Sequence, residues 1–134
     1  MKRKWLWILL LILAIVLSLF TCSKTRVSAS NDVTLIFVYE ERNINVTLPG
    51  DEAAKAIEIL NGNPYDLSIL VGYPSCGFSE NIGLKIGNRL FAIARDGCNC
   101  IQDGQNLMCF DIPIEDMEYI HSLFEKYGGY FPCI

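Results

Sequence analysis

The chain has 134 residues, 51% of them hydrophobic and 19% charged, with 10 Gly, 5 Pro and a formal net charge of −4. That balance excludes a disordered chain, a collagen-like repeat and a long coiled coil, and the length suits one packed domain. A single histidine and no glycine-rich phosphate loop remove most familiar catalytic sets at the level of counting.

Met1-Lys2-Arg3-Lys4 is a basic start, followed by an apolar run from Trp5 to Phe20 and a polar stretch ending Val27-Ser28-Ala29. This is the layout of a signal peptide, and residues 27 and 29 flank one serine so as to place the cut between Ala29 and Ser30. The apolar run is only a little short of the ~20 residues that cross a bilayer, so the same segment also reads as an uncleaved anchor. Lipidation at Cys22 is a third way to hold the domain, although Phe20 and Thr21 stand where lipoprotein signals prefer small residues. All three put residues 30–134 outside the cytoplasm, because a basic N-terminus stays on the cytoplasmic side. Residues 1–29 carry five of the 11 basic residues and none of the 15 acidic ones, which leaves six against 15 and a net charge of −9. A domain so acidic repels phosphate backbones, so nucleic acid is not its partner.

Val33, Leu35, Phe37 and Tyr39 alternate with other residues, as do Ile44, Val46 and Leu48 beyond a polar Glu40-Glu41-Arg42-Asn43 link, which predicts a β-hairpin. Pro49-Gly50 stops it, Asp51 serves as N-cap, and Ala53, Ala56, Ile57 and Leu60 follow helical spacing up to Asn61-Gly62. Between Pro64 and Pro74 the apolar run Leu67 to Val71 is read as an extra strand. Gly87-Asn88 is a two-residue turn that sets Leu84 opposite Phe91 and Ile82 opposite Ile93, with Lys85 and Gly83 on the other face. A third hairpin runs from Cys98 to Gln102, turns about Asp103-Gly104 and returns from Leu107 to Asp111. The last element opens on Glu115 and Asp116, carries Met117, Ile120, Phe124 and Tyr127 on one stripe, and closes at Lys126 and Gly128-Gly129. The expected fold is α+β, an antiparallel sheet built from about three hairpins with two helices packed on one face, stabilised by disulfides.

Beyond Cys22, the cysteines are Cys76, Cys98, Cys100, Cys109 and Cys133. Outside the cytoplasm the default for them is disulfide bonding, and an odd number leaves one thiol over. Residues 98 and 100 share a strand face and are badly disposed to bond each other. A loop of Asp103 to Asn106 places Cys100 across from Cys109, whereas a loop of Asp103-Gly104 places Cys98 there. The longer loop is preferred because it also sets Ile101 opposite Met108, so the expected bridge is Cys100 to Cys109. Cys98 then joins Cys76 or Cys133, a choice the sequence leaves open.

Three functions compete. A binding module for an extracytoplasmic protein, peptide or envelope component requires no missing residue, and Tyr65, Tyr73, Phe78, Tyr130 and Phe131 fall in loops or tail where aromatics favour recognition. For any one of them, covering the edge of a small core is the commoner role. Thiol-redox or metal-binding chemistry at Cys98, Cys100 and Cys109 has the right soft ligands but not the Cys-x2-Cys spacing of zinc or redox sites. Hydrolysis would need His121 beside a nucleophile, and the acid pairs Asp96 with Asp103 and Glu115 with Asp116 already have turn and helix-start roles. Asn45-Val46-Thr47 matches a glycosylation acceptor but falls in a predicted strand. The expectation is therefore an exported, non-catalytic module with no cofactor and no metal, touching membrane only through its N-terminal segment.

Overall fold

Alternating apolar residues need a common partner layer, and the three hairpins find it by joining edge to edge. In the computed structural model, which describes residues 2–21, 27–29, 31–66 and 76–134, they form one six-stranded antiparallel sheet. Its strands are β1 (Val33–Tyr39), β2 (Arg42–Thr47), β3 (Ile82–Ile86), β4 (Arg89–Ile93), β5 (Cys100–Asp103) and β6 (Cys109–Asp111). The order across the sheet is β2-β1-β3-β4-β5-β6. The first two hairpins meet through β1 and β3, where Leu35 faces Leu84.

The second hairpin has the register expected from its turn, with Leu84 opposite Phe91 and Gly87 at φ 60. Gly83, paired with Ala92, is a steric requirement: a Cβ there would stand 2.3 Å from the Phe91 carbonyl oxygen. The first hairpin is tighter than its polar link suggested. Tyr39 pairs with Arg42, so only Glu40 and Glu41 turn, with Glu40 at φ 53, while Arg42 and Asn43 belong to β2.

The third hairpin departs from expectation by one residue at each side of its loop. Cys100 lies opposite Asp111, Ile101 opposite Phe110 and Gln102 opposite Cys109. Asp103 is the last residue of β5 rather than the first of the turn, and the backbone turns through Gly104 to Leu107. The reason is on the inward face. Asp103 is 0% exposed; it accepts Tyr65 Oη at 2.6 Å and Arg89 Nε at 3.0 Å, and it pairs a second time with Arg89 through Nη2. Its Oδ1 also accepts the Gln105 backbone N–H at 3.0 Å, which caps the turn. A buried carboxylate so satisfied gains from being in the sheet, and Ile101 gains Phe110 as its apolar partner.

Both remaining core elements cover this inward face. Helix α2 (Gly50–Gly62) buries Ala53, Ala56, Ile57, Ile59 and Leu60, and helix α3 (Ile114–Lys126) buries Met117, Ile120, Leu123 and Phe124. They share one hydrophobic cluster with Val33, Leu35, Phe37, Ile82, Leu84, Phe91, Ile93, Ile101 and Phe110. Each helix is opened by a proline carbonyl, Pro49 O to Ala53 N–H at 2.8 Å and Pro113 O to Met117 N–H at 3.0 Å. Asp51 is thus inside the first turn, beside Glu52, as an acid favourable to the helix dipole rather than as the cap. Tyr127 Oη donates to Glu52 at 2.8 Å and Lys126 pairs with the same carboxylate, tying the end of α3 to the start of α2.

The C-terminal tail closes the end of the sheet. Phe131 packs against Phe37 and Phe124 with ring centroids 6.1 and 5.2 Å away, and Tyr39 Oη donates to the Ile134 carbonyl at 2.7 Å. Helix α1 (Lys2–Thr21) carries exposed apolar side chains from Trp5 to Leu17. Among the described residues, no helix is long and apolar enough to cross a membrane. The strand expected over Leu67 to Val71 lies outside the described residues, as do Cys22, Ser30 and Tyr73.

Asp103→Ala should cost about 3 kcal/mol of unfolding free energy in urea titration, because it removes the buried carboxylate that accepts from both Arg89 and Tyr65. Burial by itself would raise the Asp103 pKa, but hydrogen bonds from Arg89, Tyr65 and the Gln105 backbone hold it below the usual carboxylate range. Its stabilising contribution is therefore complete above the unfolded value near 3.8 and disappears as pH falls through the lowered folded value. The urea midpoint of the wild type should drop more steeply than that of the variant in that acid window.

Candidate functional site

Four of the five described cysteines are gathered at the β5–β6 end of the sheet. Cys100 and Cys109 begin β5 and β6 and alternate away from Ile101 and Phe110, so both belong to the face turned from the helices. They are buried nonetheless, at 5% and 3% exposure, and stand outside the main hydrophobic cluster. Their positions are diagonal across the ladder, not opposite as expected; strand twist brings this diagonal together, and the two thiols hydrogen-bond each other.

Cys98 sits in the turn that precedes β5, its backbone N–H bonded to Asp96 Oδ1 at 3.2 Å. The segment entering β3 is fastened beside it, since Arg95 N–H donates to the Gly77 carbonyl at 2.9 Å. That brings Cys76 in. The ligand atoms of Cys76, Asp96 and Cys98 all lie within 4.8 Å of one another, and Cys98 hydrogen-bonds to both Cys76 and Asp96. Cys133 is elsewhere, at the tail, where its N–H and carbonyl bracket Arg95 at 2.9 Å each. All five sulfurs are free thiols.

Four of these thiols, Cys98, Cys100, Cys109 and Cys133, have raised pKa values. The Cys98 pKa is pushed up to about 12, first by its hydrogen bond with Cys76 and then by Asp96. Burial pushes Cys100 and Cys109 up, and burial also raises Cys133 against the opposing Arg95 guanidinium. Reactive or redox-catalytic cysteines need the reverse, a lowered pKa in an electropositive setting. Cys76, Asp96 and Cys98 are the donors that would hold a soft metal ion.

His121 does not join this cluster. It stacks on Phe131 at 4.3 Å and 13°, and its buried Nε2 has no hydrogen-bond partner among the described residues. Tyr65 is 8% exposed, bonded to Asp103 and packed on Phe110, so it is a core residue and not a recognition aromatic. Tyr130 and Phe131 are half-buried, pack against the core and seal the tail. Phe78 lines a cavity, a space of ≈ 660 Å³ on the face of the sheet turned from α2 and α3. Leu90, Ala92 and Leu107 supply apolar lining, Ser79 and Gln102 supply a hydroxyl and an amide, and Glu80 and Arg89 supply one residue of each charge. The Tyr65-Arg89-Asp103 cluster was not expected from the sequence. Its one local sign is that Asp103 is in phase with Ile101, two residues away on the same strand face.

Burial lowers the His121 pKa below its ordinary 6.5. The fold therefore prefers neutral imidazole: its stability is complete above pH ~6.5 and is lost as pH falls toward the lowered folded value. The urea midpoint of the wild type should fall between pH 7 and pH 5, and His121→Phe should flatten that slope. A midpoint that rises on acidification would contradict this burial. Comparisons with protein-family models, with curated proteins and with solved structures found no match.

Proposed function

We propose that the folded domain is an exported, non-catalytic binding module of the cell envelope, fastened by disulfides at its cysteine-rich end. The observation that carries the binding reading is the ≈ 660 Å³ cavity on the sheet face that the helices leave uncovered. Its lining combines apolar surface with amides, a hydroxyl and one residue of each charge, Glu80 and Arg89, a combination suited to a peptide or other envelope component of mixed polarity. Among the described residues, the His121 imidazole stacks on Phe131 and does not join the cysteine cluster, which supports binding over catalysis.

The N-terminal segment favours a tethered form. Val27 donates its backbone N–H to Asn61 Oδ1 at 2.8 Å and accepts Asn61 Nδ2 at 2.9 Å. A cut between Ala29 and Ser30 would discard this packed residue, so retention of the leader as an anchor suits the domain better than release. Intact-mass measurement of the membrane-extracted protein should find an N-terminus upstream of Val27; a mature chain beginning at Ser30 would refute the tether.

A second reading, a soft metal ion held by Cys76, Asp96 and Cys98, is favoured by their mutual approach within 4.8 Å. It requires reduced thiols and stoichiometric metal in the purified protein. The disulfide reading requires that reductant alone destabilise it, by roughly 2 to 4 kcal/mol per bridge, because the crosslinks restrict the unfolded chain.

The binding reading is tested by immobilising the full chain and capturing partners from its native envelope. Phe78→Ala and Gln102→Ala, which alter the cavity lining, should lower capture at least tenfold while urea midpoints stay unchanged. Capture equal in wild type and both variants would sink the assignment of this face.

A further inference from the structure

The four sulfurs at the β5–β6 end are grouped two and two. Cys76 and Cys98 hydrogen-bond each other, as do Cys100 and Cys109. The donors that come within 4.8 Å of one another are Cys76, Asp96 and Cys98, with Cys100 and Cys109 outside that group. A tetrathiolate metal site would draw all four onto one centre. Paired crosslinks need only what is seen, two separate contacts. The Cys133 thiol is engaged by the Arg95 guanidinium at the tail instead.

We propose that Cys76–Cys98 and Cys100–Cys109 are the native disulfides of this domain and that Cys133 is the unpaired, buried thiol. This rests on the export reading, since only an oxidising compartment sustains such bridges. The two bonds differ in task. Cys100–Cys109 links β5 to β6 within one of the two edge hairpins of the sheet. Cys76–Cys98 closes a loop of about 20 residues that contains the whole β3–β4 hairpin, and it fixes the segment bearing Phe78 and Ser79 at the cavity's edge.

The chemistry balances by thiol–disulfide exchange with a disulfide-bearing oxidoreductase or a small-molecule disulfide. One protein thiolate attacks the oxidant's disulfide, forming a mixed disulfide and releasing one of the oxidant's sulfurs as a thiolate. The second protein thiolate then displaces the other. Each bridge costs the protein two hydrogens, as two protons and two electrons, and the oxidant leaves as its dithiol or as two thiols. Asp96, hydrogen-bonded to Cys98, holds that sulfur toward Cys76 during closure.

The test is alkylation and fragment mapping of the full chain recovered unreduced from its exporting host. After unfolding without reductant, the label among residues 30–134 should appear at Cys133 alone, and the protein should be lighter by two hydrogens per bridge. Cys98 and Cys100 lie on one fragment, so single variants separate the pairings. Cys109→Ser should add one label at Cys100, and Cys76→Ser should add one at Cys98. Labels that appear at Cys98 in the first and Cys100 in the second mean crossed bridges and overturn the assignment. A bridge to Cys133 overturns it as well. These results leave export standing, because disulfides are still present. Every thiol labelled without reductant would instead refute both this assignment and the export reading. Four protected thiols with no loss of hydrogen, released together with a metal ion, would overturn it in favour of the metal site.

Discussion

The burial of one carboxylate governs the far half of the sheet. Asp103 has no exposed surface and receives hydrogen bonds from Tyr65, Arg89 and the backbone of Gln105. Leaving such a group in low dielectric without those donors would cost several kcal/mol, so the chain adopts whichever hairpin register supplies them. That register draws Asp103 into β5, moves the loop to residues 104–107 and sets Ile101 on Phe110. It also decides which face and which diagonal the cysteines occupy. The sulfur geometry is thus a consequence of an interaction on the opposite face of the same strand.

The other end of the domain is held by different physics. Aromatic packing among Phe37, Phe124, Tyr130 and Phe131 brings the tail over β1. Arg95 then joins the two ends, through Gly77 on one side and Cys133 on the other. This residue, just past β4, fastens the segment that carries Cys76 and the segment that carries Cys133, and so keeps them apart. A guanidinium suits the position, because its fixed donors fit backbone carbonyls while its plane lies over Tyr39 at 5.1 Å.

These placements bear on function through what they leave uncovered. Both core helices lie on one face, so the outer face of β4 and β5 is free to line a cavity with Leu90, Ala92 and Gln102. The cysteine-rich end adjoins that face; there the hydrogen bond with Cys76 raises the Cys98 pKa, and burial raises those of Cys100 and Cys109.

Much of the fold was legible because it depends on short-range rules. Alternation in Val33 to Tyr39 and in Ile82 to Ile93, the Gly87-Asn88 turn, and the stripe of Met117, Ile120 and Phe124 each name an element and its buried face from neighbours a few residues apart. The class, an α+β domain with an antiparallel sheet, followed from them. Tyr65 and Asp103 were not legible, because a loop tyrosine and a turn aspartate are ordinary until they meet Arg89 across 24 and 14 positions of chain. The cysteine grouping was hidden for the same reason: a one-residue change in where a loop begins alters every cross-strand partner beyond it. Local periodicity determined the elements and their inward faces, whereas the placement of polar and sulfur groups was decided only by folding, since burial and hydrogen bonding are settled between residues far apart in the chain.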